Sequence, residues 1–310
     1  GVLVAMGITA LLVAFIGRGF GLAPGIDLKV GLVFGALVAA TDPVAVTALF
    51  RELKAPARLA TLVESESLFN DGTGVVFLSL VLAYVTGATT SVGGVLVQFV
   101  FVVGGGVLVG LAVGLAVSMI IRRVDEPMIE IGLTVIAAYG SFVLAEGIHA
   151  SGVLGTVIAG MMCGRQGRDL GMSHVSREAV QTFWEYIAFA LNSIVFLLVG
   201  FQFDALRLRP IAVLLAVAFA AMLLARAAVV FGLLHLQRGA ERLPLNWGAV
   251  ISLGGLRGAL SIVLALALPD TLPARDLLVS MTVGVVLLSI IVQGLSMPVL
   301  MGKLRLREDG

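Results

Sequence analysis

Three carboxylates and two guanidiniums stand inside or at the edge of apolar runs of this sequence: Asp42, Glu66, Asp71, Arg226 and Arg257. An ionisable side chain at bilayer depth costs several kcal/mol, so each such group marks either a compensating pair or a path for an ion. Asp42 lies in ATDPVAV. Pro43 has no N–H and clashes with the turn before it, so Thr41-Asp42-Pro43 is expected to be unwound. A plain proline kink, with Asp42 capping the second half-helix, is the competing reading. Asp71 lies in ESESLFNDGTG. Ser67 and Asp71 are spaced i, i+4 and share a helix face, and Glu66 and Asn70 form the adjacent strip. Gly72, Thr73 and Gly74 let neighbouring backbone come close. A small, partly dehydrated cation takes hard oxygen ligands, and Asp71, Asp42, Ser67 and Thr41 can supply them. Acidic residues are also favoured by the dipole at a helix N-terminus. That accounts for Glu64 and partly for Glu66, but poorly for Asp71, which is more than a turn further in.

Arg257 sits among Gly254, Gly255 and Gly258 in SLGGLRGALS, a second glycine-interrupted run. It is placed either to neutralise negative charge at the break or to snorkel to an interface. Arg226, in LLARAAVV, needs a buried acid, and Glu66 is the best candidate. A structural ion pair is the favoured reading over a part in a transport cycle.

The elements that must carry these residues follow from composition. Of 310 residues, 59% are hydrophobic and only 13% charged, with a mean hydropathy of +1.11. Disorder is excluded by the apolar content and a disulfide scaffold by the single Cys163. A net charge of +1 offers no basic surface for nucleic acid. No phosphate loop is present, and three scattered histidines with one cysteine make no usual zinc set. The alternation of a transmembrane barrel is missing. The remaining class is an all-α polytopic membrane protein.

Ten apolar segments are expected, at 2–21, 31–50, 66–86, 93–121, 128–148, 151–164, 184–203, 211–235, 247–268 and 277–301. Most are long enough to cross about 30 Å of hydrocarbon; the sixth is short. The second and ninth are the interrupted ones. Two broken segments at corresponding positions in two halves point to a transporter site. Their odd offset implies opposite orientation, so segments 1–3 match segments 8–10 as an inverted repeat.

Arg51, Lys54, Arg58, Arg122, Arg123, Arg165, Arg168, Arg177, Arg238, Arg242, Lys303, Arg305 and Arg307 follow even-numbered segments, whereas only Arg18, Lys29, Arg207, Arg209 and Arg275 follow odd-numbered ones. The basic side is cytoplasmic, which places the C-terminus inside and residue 1 near the outer face. The opening GVLVAMGITALLVAF has no basic n-region and reads as the start of a truncated chain, not as a signal peptide.

Other residues have plainer readings. Trp184 and Trp247 begin segments and suit interfacial anchors. His149 and Glu146 sit at a segment end, where solvation is expected. Asn192 is a polar group for bonding across helices, and Cys163 is a small apolar residue. Gly104, Gly105, Gly106, Gly110 and Gly114 form a helix-packing surface.

Together, ATDPVAV at 40–46, LVESESLFNDGTGVVF at 62–77, FWEYIAFALNSIVFLLVG at 183–200 and SLGGLRGALSIVLALALP at 252–269 resemble the monovalent cation:proton antiporter family, in its branch of bacterial NhaP-type and animal NHE-type sodium/proton exchangers. The first two in tandem are the most specific, and the resemblance spans nearly the whole chain. It implies a fold of about thirteen transmembrane helices with two unwound helices crossing, of which ten are seen here and about three precede residue 1. It divides the chain into core helices of the first repeat at 1–86, dimerisation or scaffold helices and linker at 87–203, and core helices of the second repeat at 204–310. It places the cation- and proton-binding carboxylate on Asp71 beside Asn70, the helper acid and threonine on Asp42 and Thr41, and the serine on Ser67. The structural ion pair falls on Glu66 and Arg226, and the broken-helix arginine on Arg257. Asn70, where electrogenic relatives carry Asp, resembles the electroneutral branch.

The expected function is therefore secondary antiport of Na⁺, with K⁺ or Li⁺ open, against H⁺ by alternating access. Asp71 holds either ion but never both. No cofactor and no enzymatic activity are expected. The partners are membrane lipid and a second copy in a homodimer, and the site of action is a bacterial plasma membrane. The rival readings are a nonfunctional fragment of such a transporter, an ion channel, and an intramembrane aspartyl protease. Asp42 and Asp71 lack the Tyr-Asp and Gly-x-Gly-Asp contexts that the protease class resembles.

Overall fold

The computed structural model describes residues 1–19, 26–42, 44–87, 92–168, 171–202, 209–237 and 243–304. Pro43 and the basic residues Arg207, Arg238, Arg242, Arg305 and Arg307 lie outside them, as does the 203–204 boundary. Among the described residues the regular structure is entirely helical. Seven helices are long and apolar enough to cross a membrane. The chain divides into two compact units, residues 1–86 with 198–310, and residues 87–197.

The first unit begins with α1 (Val2–Gly19) and α2 (Leu28–Leu37). The Asp27 carboxylate accepts the Val30 N–H at 2.9 Å and so caps α2. Gly31 and Gly35 let α1 approach until Ala10 and Met6 carbonyls occupy the space a Cβ would need. After α2 the chain unwinds, and α3 (Val44–Glu52) resumes the same span. Then comes α4 (Ala57–Val85), a 29-residue helix. It begins well before residue 66, because Arg58 and Glu64 dilute the hydropathy of its first turns without disturbing its helical bonding.

The second half of this unit mirrors that order. A long helix, α9 (Ala212–Leu236), precedes a broken pair, α10 (Leu245–Leu253) and α11 (Ala259–Leu266). The final span is α12 (Arg275–Leu288), a π-helical turn at Ser289–Gln293, and α13 (Gly294–Leu304). That π turn falls inside the tenth expected segment, which hydropathy reads as uniform. One apolar cluster ties the basic-loop ends of both halves together. Val46, Phe50, Leu59, Val63, Val250, Leu256, Met297 and Met301 are all buried in it, with Trp247 packed against its edge.

The second unit holds α5 (Val92–Ile121), α6 (Pro127–Gly147) and α7 (Gly152–Met162), which continues as a π-helical turn to Arg168, and most of α8 (His174–Gln202). Gly106 and Gly110 pack against the Ser151 and Gly155 carbonyls, and Gly114 against Ala159, so the glycine surface of α5 is where α7 lies. His149 takes a left-handed φ of 58° just past the end of α6, and Glu146 Oε1 accepts the Gly152 N–H at 3.1 Å. Because α8 starts at His174, Trp184 is not at a helix start. Its indole N–H donates to the Thr134 hydroxyl at 3.0 Å, and the half-buried ring packs against the cluster of Val117, Ile121, Ala137 and Cys163. Large apolar side chains such as Phe15, Leu108 and Leu295 face outward, as surfaces bathed in lipid do.

Candidate functional site

The two broken helices of the first unit meet, and each supplies what the other lacks. A helix end leaves unpaired backbone N–H and C=O groups, and in a bilayer these need partners from protein. In the first break the Ala39 and Ala40 carbonyls both accept from Arg257 Nη1, at 3.0 and 3.1 Å. Arg257 is 4% exposed, and its Nε points at the Met222 sulfur, 3.1 Å away. In the opposite direction, the Asp42 N–H donates to the Leu256 carbonyl at 2.8 Å. The arginine therefore faces inward and does not snorkel.

The acids gather on the same crossing. The Thr41 N–H donates to Asp71 Oδ1 at 3.2 Å, which brings α4 onto the first break. The Thr41 hydroxyl donates to Ser67 Oγ at 3.0 Å and accepts from Asn70 Nδ2 at 3.1 Å. Asn70 Nδ2 also faces Glu66 Oε1 at 3.4 Å. Thr41, Ser67 and Asn70 are buried, whereas Asp42 and Asp71 are half-buried. Asp42 and Arg257 are both within electrostatic reach of Asp71. Gly258 faces Asp42 so closely that a Cβ there would overlap its side chain. Gly74, a turn beyond Asp71, rests against Ala40.

Glu66 and Arg226 form an ion pair of 2.8 Å between Oε2 and Nη2. The guanidinium also donates to the carbonyls of Ile251 (2.9 Å from Nη2, 3.2 Å from Nε) and Ser252 (3.1 Å from Nε). Those are orphan carbonyls at the end of α10. Arg226 thus serves the second break as Arg257 serves the first, a role the sequence did not announce. Gly255 leaves room for it, since a Cβ there would collide with the guanidinium.

A cavity of about 530 Å³ opens among α1, α2, α4 and α9. Glu66, Asn70, Arg226 and Arg257 stand in its otherwise largely apolar wall; Asp42 and Asp71 are not part of that wall. All eight residues singled out in the sequence are thus brought together in one unit, with Thr41 and Arg257 as the joints. Sequence reasoning missed Ser289 and Gln293, which bond to the second break. The signal for them was a Ser and a Gln at i, i+4 in an otherwise apolar run, shortly before Pro298.

Residues 1–303 match the family described as sodium/hydrogen exchanger, transmembrane. The chain is 40% identical to ApNhaP, a Na⁺/H⁺ antiporter of Aphanothece halophytica, over 99% of its own length and 60% of that protein's. It is 38% identical to the Na⁺/H⁺ antiporter NhaP of Pseudomonas aeruginosa, covering 87% of this chain and 65% of that one. The chain therefore spans about three-fifths of these relatives. Its fold matches the sodium proton antiporter MjNhaP1 of Methanocaldococcus jannaschii with a TM-score of 0.78 at 23% identity, covering 97% of this chain and 77% of that one.

Proposed function

Because this chain belongs to the transmembrane sodium/hydrogen exchanger family, we propose that its first unit is the ion-carrying part of an antiporter that exchanges one monovalent cation for one proton at Asp71. The observation that carries this reading is a charge imbalance. Glu66 pairs with Arg226, Asp71 lies within electrostatic reach of Asp42 and Arg257, and Arg257 within reach of Arg226 and Glu66, so these five groups form one charged set. With every group ionised, one negative charge is left over. One proton or one alkali ion cancels it, and both loaded states are then neutral. A neutral load is the form that crosses an apolar barrier at least cost, and an empty, charged site resists crossing, which suppresses leak. Competition for one carboxylate couples the two fluxes without a separate gate.

The surrounding oxygens suit the cargo. Asp71, Asp42, Ser67 and Thr41 offer hard donors for a dehydrated Na⁺, K⁺ or Li⁺, while Asn70 holds Thr41 in place. Broken helices at the bilayer midplane are where secondary transporters bind their ions. The residues of unit two, 87–197, are assigned to scaffold and homodimer contacts. The basic loops and the C-terminus are assigned to the cytoplasmic side of a bacterial plasma membrane.

The test is dequenching of a pH-sensitive dye in proteoliposomes carrying the full-length protein, with Na⁺, K⁺ and Li⁺ pulses. Asp71→Asn is expected to abolish exchange while keeping the wild-type melting temperature; normal exchange by that variant overturns the assignment. A rate that follows an imposed membrane potential overturns the one-for-one stoichiometry. Unitary currents in planar bilayers would point to a channel.

A further inference from the structure

We propose that Ser289 and Gln293 are positioning residues for ion exchange: a polar clamp from the last span that holds the second break, and through it the first. The inference rests on the antiport reading for its functional part. The argument starts from the backbone groups that the break leaves open. Of the last four carbonyls of α10, Val250 is met by the Gly254 N–H at 2.6 Å, and Ile251 and Ser252 are met by Arg226. Leu253 is left, and Gln293 Nε2 donates to it at 3.0 Å. Within the break, the Arg257 N–H donates to Ser289 Oγ at 2.9 Å. The Ser289 hydroxyl in turn donates to Gln293 Oε1. One unidirectional chain therefore runs from the Arg257 N–H through two side chains to the Leu253 carbonyl.

Both side chains are 0% exposed, and their hydrogen bonds go to Arg257, Leu253 and each other. They lie at the two ends of the π-helical turn Ser289–Gln293. Such turns insert an extra residue into a helix and are frequent at functional sites. Pro298 follows inside α13 and cannot donate to the Gly294 carbonyl, so the helix register is already loosened there. What the clamp fixes is the peptide stretch 253–257. Its Leu256 carbonyl holds the Asp42 N–H, and its Arg257 side chain holds the Ala39 and Ala40 carbonyls. A shift in that stretch would displace the positive charge beside Asp71 and the main chain of Asp42 together, although Ser289 and Gln293 are remote in sequence from both.

A purely structural pair would lower stability and do nothing else. Ser289→Ala, Ser289→Thr and Gln293→Met are made in the full-length protein, and sodium dependence and pH profile are read in proteoliposomes. Deuterium uptake is followed over residues 38–42 and 250–258. Ser289→Ala and Gln293→Met are expected to raise the half-saturating sodium concentration about tenfold and to displace the pH profile. They should also speed deuterium uptake at both breaks. Ser289→Thr keeps the hydroxyl and should restore all three readouts. Ser289→Ala deletes a single oxygen, so it tests the clamp even where Gln293→Met fails to fold. Uptake that rises only over 250–258, or a sodium and pH dependence equal to wild type, overturns the proposal. A wild-type protein that performs no exchange overturns the antiport reading instead, and the deuterium uptake then decides the clamp by itself.

Discussion

The backbone N–H of Asp42 donates to the carbonyl oxygen of Leu256 across 2.8 Å, joining residues that belong to different broken helices. With the return contact from Arg257 to Ala39 and Ala40, neither break has a geometry of its own. Substitutions in one should therefore be read out in the other.

Gly258→Ala is the sharpest case. The added methyl overlaps the Asp42 side chain, and the neighbour that would have to give way is itself fixed through its main chain. The variant should lose both melting temperature and most exchange activity per folded molecule in proteoliposomes, because overpacking against a fixed neighbour costs about 1–3 kcal/mol. Activity within twofold of wild type would show that Asp42 can move freely.

For Arg226 the expectation concerns stability. Most of its hydrogen bonds go to backbone carbonyls and one goes to Glu66. In Glu66→Gln the amide oxygen can still accept from Arg226, whereas Arg226→Ala takes the side-chain donor from the Ile251 and Ser252 carbonyls as well as from Glu66. Each buried polar group left unpaired costs about 1–3 kcal/mol. Arg226→Ala should thus lower the yield of monodisperse protein and the melting temperature well beyond Glu66→Gln. Equal losses in a thermal-shift assay would mean that the ion pair, and not the carbonyl contacts, is what matters.

Thr41→Val keeps shape and removes a hydroxyl that Asn70 donates to and that donates to Ser67. Leaving buried polar groups unpaired costs about 1–3 kcal/mol. The half-saturating sodium concentration should rise about tenfold or more, with Thr41→Ser close to wild type. A sodium titration of dye dequenching checks both.

In the second unit, Gly106→Val places side-chain atoms against the Ser151 carbonyl. Overpacking of this kind costs about 1–3 kcal/mol. Thermal denaturation should show the loss, and exchange per folded molecule should stay unchanged.

How much of this was legible in the sequence depended on contrast. Asp42 and Arg257 stood out because a carboxylate beside proline and a guanidinium among glycines are rare in apolar runs, and both mark real helix breaks. Asp71, Ser67 and Thr41 could be grouped by helical spacing and donor chemistry. Hydropathy failed where a helix runs on into polar turns, as α4 does from Ala57 and α8 from His174. Trp184 accordingly lies within α8 and not at its start, half-buried with its indole N–H on the Thr134 hydroxyl. Ser289 and Gln293 escaped because a neutral hydroxyl and an amide scarcely change the character of a long apolar segment, and their partners are main-chain groups that no side-chain pattern reports. Arg226 was paired with the acid, but its carbonyl contacts depend on where α10 stops.

The interlock of the two breaks also bears on how such a chain is made. Synthesis proceeds from the N-terminus, and 218 positions separate Ala39 from the guanidinium that receives its carbonyl. While the ribosome extends the intervening helices, the first half of unit one sits in lipid or beside the insertion machinery with the peptide groups of its break unmet by Arg257. Its shape is completed only when the closing spans arrive, so quality control has a long window in which to recognise an unfinished molecule.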